Sequence, residues 1–240
     1  MIETVCLLFI VFAAAFIQGL TGFGFGLIAL PLLGFFIPIK TVIPFMLMLA
    51  IFICLALTIQ LRHAIRWKTV GVLSIATLPG IAIGIHVLKT VPPQPLALGL
   101  GILLITFTSY QLLAKPTPRE LGLPYMLIAG FGCGLLTACI SAGGPPAIIY
   151  ASTQTWSKDE TKGTLACYFL FGGAATVVSH ALAGIITSDV LAYFTQSLPA
   201  LALGILAGTI AYKHLSDHGY KKLTFILVFL IGCIMVYKNS

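Results

Sequence analysis

Two short stretches carry residues able to hold a small oxyanion. The first is Thr21-Gly22-Phe23-Gly24-Phe25-Gly26, with Gln18 just before it. The second is Ser141-Ala142-Gly143-Gly144-Pro145-Pro146. Gly costs about 1 kcal/mol in a helix interior and Pro about 3, so a helix running through either stretch should unwind there. The helix that restarts beyond the break offers unbonded N–H groups and a partial positive charge, which together bind anions. Glycine lets an anion approach the backbone, and Gln18, Thr21 and Ser141 add side-chain hydrogen bonds. Pro145 and Pro146 suit the first turn of the new helix, although they remove two donors from an anion site. Close helix packing competes with this reading. Gly22 and Gly26 are spaced as G-x-x-x-G, and the same spacing recurs at Gly80/Gly84, Gly130/Gly134 and Gly204/Gly208. For the other polar residues near the breaks (Thr137, Ser152, Thr153 and Gln154), bonding to a neighbouring helix or to the preceding turn is the ordinary role.

The elements that must position these residues are membrane helices. Of the 240 residues, 59% are hydrophobic and 8% charged, and mean hydropathy is +1.09. Soluble domains carry roughly 25% charged residues, so most of this surface needs lipid as its solvent. Soluble enzymes, disordered chains and secreted disulfide scaffolds are excluded on that ground. Cutting at charges and Pro clusters gives apolar blocks near 4–36, 41–61, 69–88, 96–113, 121–155, 163–187, 190–212 and 223–237. A span needs about 20 helical residues. Blocks 4–36 and 121–155 are far longer, and each is interrupted by one of the two breaks. Each is therefore expected to form two helices.

The breaks lie nearly half a chain apart, which points to duplication. Leu78-Pro79-Gly80-Ile81-Ala82-Ile83-Gly84 also matches Leu198-Pro199-Ala200-Leu201-Ala202-Leu203-Gly204 at a similar offset. Loop charges fix the topology. If every block crosses once, the 13 Lys and Arg divide almost evenly. If blocks 4–36 and 121–155 enter and return on one side, Lys40, Lys89 and Lys238 fall on one face and the other ten on the opposite face. The second arrangement is expected, with the crowded face in the cytoplasm. The fold class is then an all-α integral membrane protein with two inverted-topology repeats, each a broken or hairpin first block followed by three transmembrane helices. It forms a single transmembrane domain over 1–240, with repeats near 1–117 and 118–240. Inverted repeats with matching broken helices are the architecture of secondary transporters.

The acids Glu3, Glu120, Asp159, Glu160, Asp189 and Asp217 sit in loops or near helix ends. No buried carboxylate is therefore expected for proton coupling. His180 is the deepest titratable group, either a proton or anion relay or a neutral histidine bonded to a neighbouring helix. Trp67 and Trp156, beside basic residues, read as interfacial anchors. The cysteines Cys6, Cys54, Cys133, Cys139, Cys167 and Cys233 lie in apolar stretches without metal-binding spacing. Catalytic motifs are missing, so no enzyme, metal or cofactor is expected. The net charge of +7 lacks a basic run with interleaved aromatics, so nucleic acid is excluded as a partner. The expected partners are a small anionic substrate and the lipid bilayer, with homodimerisation left open.

Gln18-Gly19-Leu20-Thr21-Gly22-Phe23-Gly24-Phe25-Gly26 followed by Pro31 resembles the first-half motif of TauE/SafE sulfite-exporter permeases. Gly143-Gly144-Pro145-Pro146 resembles the second-half motif. Trp156-Ser157-Lys158-Asp159-Glu160-Thr161-Lys162-Gly163 resembles the segment just downstream of that motif in many members. The resemblance implies an inner-membrane, multi-pass permease for small anions such as sulfite or organosulfonates, typically working in export. The matched positions are Gly22, Gly24, Gly26, Ser141, Gly143, Gly144, Pro145 and Pro146. Substrate is expected between the two breaks. An anion channel and a non-transporting membrane scaffold or assembly protein are the alternatives.

Overall fold

A computed structural model describes residues 2–113, 121–212 and 218–239. The described residues form ten α-helices and no strand. The first five are α1 (Ile2–Thr21), α2 (Phe25–Leu33), α3 (Ile39–Gln60), α4 (Trp67–Thr90) and α5 (Pro93–Leu113), with a single 3-10 turn, Arg62–Ala64, before α4. The second five are α6 (Leu123–Ile140), α7 (Gly144–Ser152), α8 (Lys158–Leu182), α9 (Ser188–Tyr212) and α10 (His218–Asn239). Among the described residues, seven helices are long and apolar enough to cross a membrane. The nine-residue helices α2 and α7 extend only about 14 Å at 1.5 Å per residue, roughly half a hydrocarbon core.

Both long apolar blocks divide at the expected places. The first loses helical structure at 22–24 and the second at 141–143. Gly22 and Gly24 adopt φ of 88° and 105°, in the left-handed region that favours glycine. Ser141, at φ 49°, is the one non-glycine residue there among the described residues. Pro145 and Pro146 occupy the first turn of α7, where their missing N–H groups break no helical bond. Pro79 and Pro199, from the repeated Leu-Pro stretch, lie inside α4 and α9.

Glycine crossings set how the helices run. On α4, Gly80 faces Phe131 and Leu135, and Gly84 faces Leu135 and Ala138, so α4 and α6 point the same way. Gly204 and Gly208 of α9 face Phe12 and Phe16 in turn, so α9 and α1 also point the same way. Helices α3 and α8 run oppositely, with Gly163 against Leu61 and Gly173 against Leu47 and Ile51. Helices α5 and α10 do likewise, since Gln94 Nε2 donates to the Asn239 carbonyl while Gly101 lies on Gly232. The G-x-x-x-G spacing thus marks tight packing at three of its four occurrences. At Gly22 and Gly26 it marks a break instead.

Charged residues gather at the two ends of this bundle. At one end Arg66 bridges Glu160 at 2.8 Å, close to Arg62, Lys68 and Lys158. At the other, Lys89 Nζ donates to the Ala183 carbonyl and Lys238 Nζ lies 4.7 Å from the Phe35 ring, with Lys40 just inside α3. Lys115, Arg119, Lys213, Glu120 and Asp217 lie outside the described residues, as do the side chains of Glu3, Lys221 and Lys222.

Candidate functional site

Both breaks open onto one cavity of about 80 Å³. Gln18, Gly24 and Gly26 line it from the first half, and Thr137, Ser141, Gly143 and Gly144 from the second. Its walls come from the middle of α3 (Met46 to Cys54), the middle of α8 (Tyr168 to Gly173) and Thr77 on α4. Gly24, Gly26, Ser141 and Gly144 keep part of their surface uncovered by other atoms. The breaks press together here, because a Cβ on Gly26 would collide with the Ser141 carbonyl oxygen. Glycine at 26 is what lets the first turn of α2 touch the second break.

Each break is held by its own local bonds. Gln18 is buried, at 4% exposure. Its Oε1 accepts from the Phe25 amide at 3.0 Å and so caps α2. Its Nε2 lies 3.5 Å from Cys54 Sγ. Thr21 Oγ1 accepts from the Phe23 amide at 3.2 Å and donates back to the Ile17 carbonyl at 2.9 Å, folding the chain around Gly22. In the second break the amides of Ser141 and Ala142 donate to the carbonyls of Thr137 and Leu136. Gly143 allows no side chain, since a Cβ there would strike Thr137 Oγ1. The start of α2 spends its Phe25 amide on Gln18, and that of α7 carries two prolines without N–H. The amides left without a carbonyl in their own helix are those of Gly26 and Leu27 on α2 and of Gly144 on α7, and both helix starts face the cavity.

Of the ten residues expected at a binding site, six line this cavity: Gln18, Gly24, Gly26, Ser141, Gly143 and Gly144. The other four stand behind it. Thr21 lines a small neighbouring hollow with Phe225 and Val228. Gly22 lies against the Lys162 side chain. Pro145 and Pro146 face an apolar groove with Leu103, Phe107 and Tyr125. His180 is fully buried, and its Nε2, 2.9 Å from the Ala138 carbonyl, must donate to it. It does not line the cavity. This is the bonded-histidine arrangement. Ser152 and Thr153 hydroxyls donate back to their own turn.

Sequence reasoning missed three residues. Lys162, which reads in the sequence as a loop charge, is 4% exposed. Its Nζ donates to the Gly19 carbonyl at 2.7 Å, lies 3.5 Å from the Leu20 carbonyl and sits 3.5 Å from the Tyr212 ring centre. It caps the C-terminal end of α1, where carbonyls are unpaired and the helix dipole favours a cation. The Ser157–Glu160 capping box that starts α8 is the signal that could have placed Lys162 inside a helix. Tyr168 and Thr77, joined at 2.7 Å, also line the cavity, and nothing in their sequence context distinguishes them from other span residues.

The described residues hold no cluster of metal-ligating side chains, and no charged side chain lines the cavity among them. What the site offers an anion is backbone amides, hydroxyls and the Gln18 amide. A family model described as sulfite exporter TauE/SafE matches residues 7–235. No curated protein and no solved structure matches.

Proposed function

The chain belongs to the sulfite exporter TauE/SafE family, and from that premise we propose that it carries a small oxyanion, sulfite or an organosulfonate, bound between the two breaks and exported by alternating access. Family membership and seven apolar helices make it a multi-pass membrane transporter. The observation that carries the finer reading is the shared cavity, because residues from two breaks distant in sequence line one hollow at the middle of α3 and α8. Unwound backbone is tolerated at membrane depth only when buried in protein or facing a wet cavity, and here it is enclosed by the bundle and lines a cavity.

The helix directions support the inverted-repeat reading. With α1 parallel to α9, α4 parallel to α6, and α3 and α5 antiparallel to α8 and α10, the long helices run as an inverted repeat requires. The repeats near 1–117 and 118–240 would then exchange roles as the cavity opens to one face and then the other.

The test is flux in proteoliposomes with the Gly144→Leu variant. A Cβ at 144 meets only the tip of Ile148, so the fold tolerates it while the longer side chain fills the cavity. The wild-type protein should show saturable sulfite flux that accelerates with sulfite on the far side. The monodisperse variant should lose about tenfold or more, equivalent to about 1.4 kcal/mol. Unchanged flux in the folded variant overturns the site, and flux without saturation or counterflow makes the protein a channel.

A further inference from the structure

We propose that the cavity accepts singly charged anions only, so that sulfite crosses as hydrogensulfite and its proton travels on the cargo. This rests on the oxyanion reading above. Few groups are available to neutralise charge in the cavity. Among its described lining residues there is no Lys, Arg or His. Lys162, beside the first break, is spent on the α1 carbonyls, and His180 donates to Ala138. The titratable groups that face the cavity are the Cys54 thiol from α3 and the Tyr168 phenol from α8, both neutral in their ordinary state at neutral pH. Helices α1, α2, α4, α6 and α7 add none among the described lining residues.

Compensation therefore comes from dipoles. A helix N-terminus is worth roughly half an elementary charge, and two of them, α2 and α7, face this hollow. Together they match about one negative charge. The Gln18 amide supplies a donor of the right kind, since Gln18 is 4% exposed and lines the cavity. Of the two hydrogens on its Nε2, one faces Cys54 Sγ and the other has no protein acceptor among the described residues. The remaining wall is largely apolar, including Phe23, Phe25, Met46, Leu47 and Phe169. In such surroundings the cost of removing an ion from water grows with the square of its charge, so a dianion costs about four times as much as a monoanion. The second charge of sulfite or sulfate meets no charged side chain among the described lining residues.

Single-charge selection also removes the need for a buried carboxylate. Sulfite is a weak acid whose two anionic forms coexist near neutral pH. When hydrogensulfite leaves a compartment, the sulfite left behind takes up protons to restore the balance, and that compartment turns alkaline. When the dianion leaves, the remaining hydrogensulfite releases protons and the compartment turns acidic. Protons then move with the substrate although no side chain in the cavity relays them.

The experiment loads proteoliposomes with sulfite and a lumenal pH dye slightly above neutral pH. Potassium and valinomycin dissipate the membrane potential, and protein-free and Gly144→Leu vesicles are subtracted to remove passive loss. The expected result is lumenal alkalinisation in step with protein-dependent sulfite efflux, and sulfate efflux slower by about tenfold or more. Lumenal acidification, or sulfate carried as fast as sulfite, overturns single-charge selection while leaving the carrier intact. Absence of any protein-dependent sulfite efflux overturns the oxyanion-carrier reading and this inference with it.

Discussion

Lys162 shows how much one side chain can hold in a membrane bundle. It sits at the first break with its Nζ on Gly19 and its stem against Gly22. A hydrogen bond to a charged donor is worth about 1.5–3 kcal/mol, and removing it leaves α1 carbonyls buried without a partner. Lys162→Met should therefore destabilise the protein by about 2 kcal/mol. It should also speed hydrogen exchange at the Gly22–Gly24 amides. Thermal unfolding in detergent and exchange mass spectrometry measure the two effects, and an unchanged melting point with unchanged exchange would show that the cap is dispensable. Lys162 was hidden in the sequence because a lysine four residues past a loop reads as a loop charge. Burial depends on where α1 ends, and that is a tertiary fact. The glycines of the breaks were legible because their chemistry is local: φ of 88° at Gly22 and 105° at Gly24 are what a run of alternating glycines permits.

At the scale of elements, the molecule is built from paired helices that meet on glycine. A Cβ on Gly134 would run into the Thr77 carbonyl oxygen, and one on Gly208 into the Phe16 carbonyl oxygen. Gly134→Ala and Gly208→Ala should each cost about 1–3 kcal/mol through overpacking, and by similar amounts, because at both sites the added Cβ meets a backbone carbonyl of the partner helix. Gly99→Ala, with open space around its Cβ position, should change nothing or stabilise slightly. Monodispersity after graded heating ranks the three. A loss at Gly99 equal to that at Gly134 would refute the packing account. The sequence displayed the G-x-x-x-G spacing four times but could not sort packing from breakage. The decision lies in which carbonyl faces the glycine, and that requires the partner helix.

For the whole molecule, positive charge reports orientation. Arg62, Arg66, Lys68 and Lys158 share one end with the 61–66 and 153–157 turns, and Lys89 and Lys238 occupy the other. With the first end cytoplasmic, a cysteine at exposed His63 in a cysteine-free background should react with a membrane-impermeant maleimide only after permeabilisation. A cysteine at exposed Thr90 should react in intact cells. The reverse pattern would invert the orientation. Helix number, the split of blocks 4–36 and 121–155, and this end-to-end sorting were legible from apolar length and charge counting, since lipid imposes both. The cavity was legible only as two separate motifs. Its floor, where Gly26 meets Ser141, and its walls of Tyr168 and Thr77 exist because helices from opposite halves lie side by side.

That interleaving has a consequence for how the chain is made. The extensive helix contacts, α1 with α9, α3 with α8, α4 with α6 and α5 with α10, each join an early segment to a late one. The first five helices leave the ribosome before any of these mates exists, so the emerging portion has glycine faces exposed and no completed seam. Insertion and assembly are thereby separated in time. The membrane must shelter an unfinished half, as a set of loosely held spans, until translation delivers the segments that lock between them.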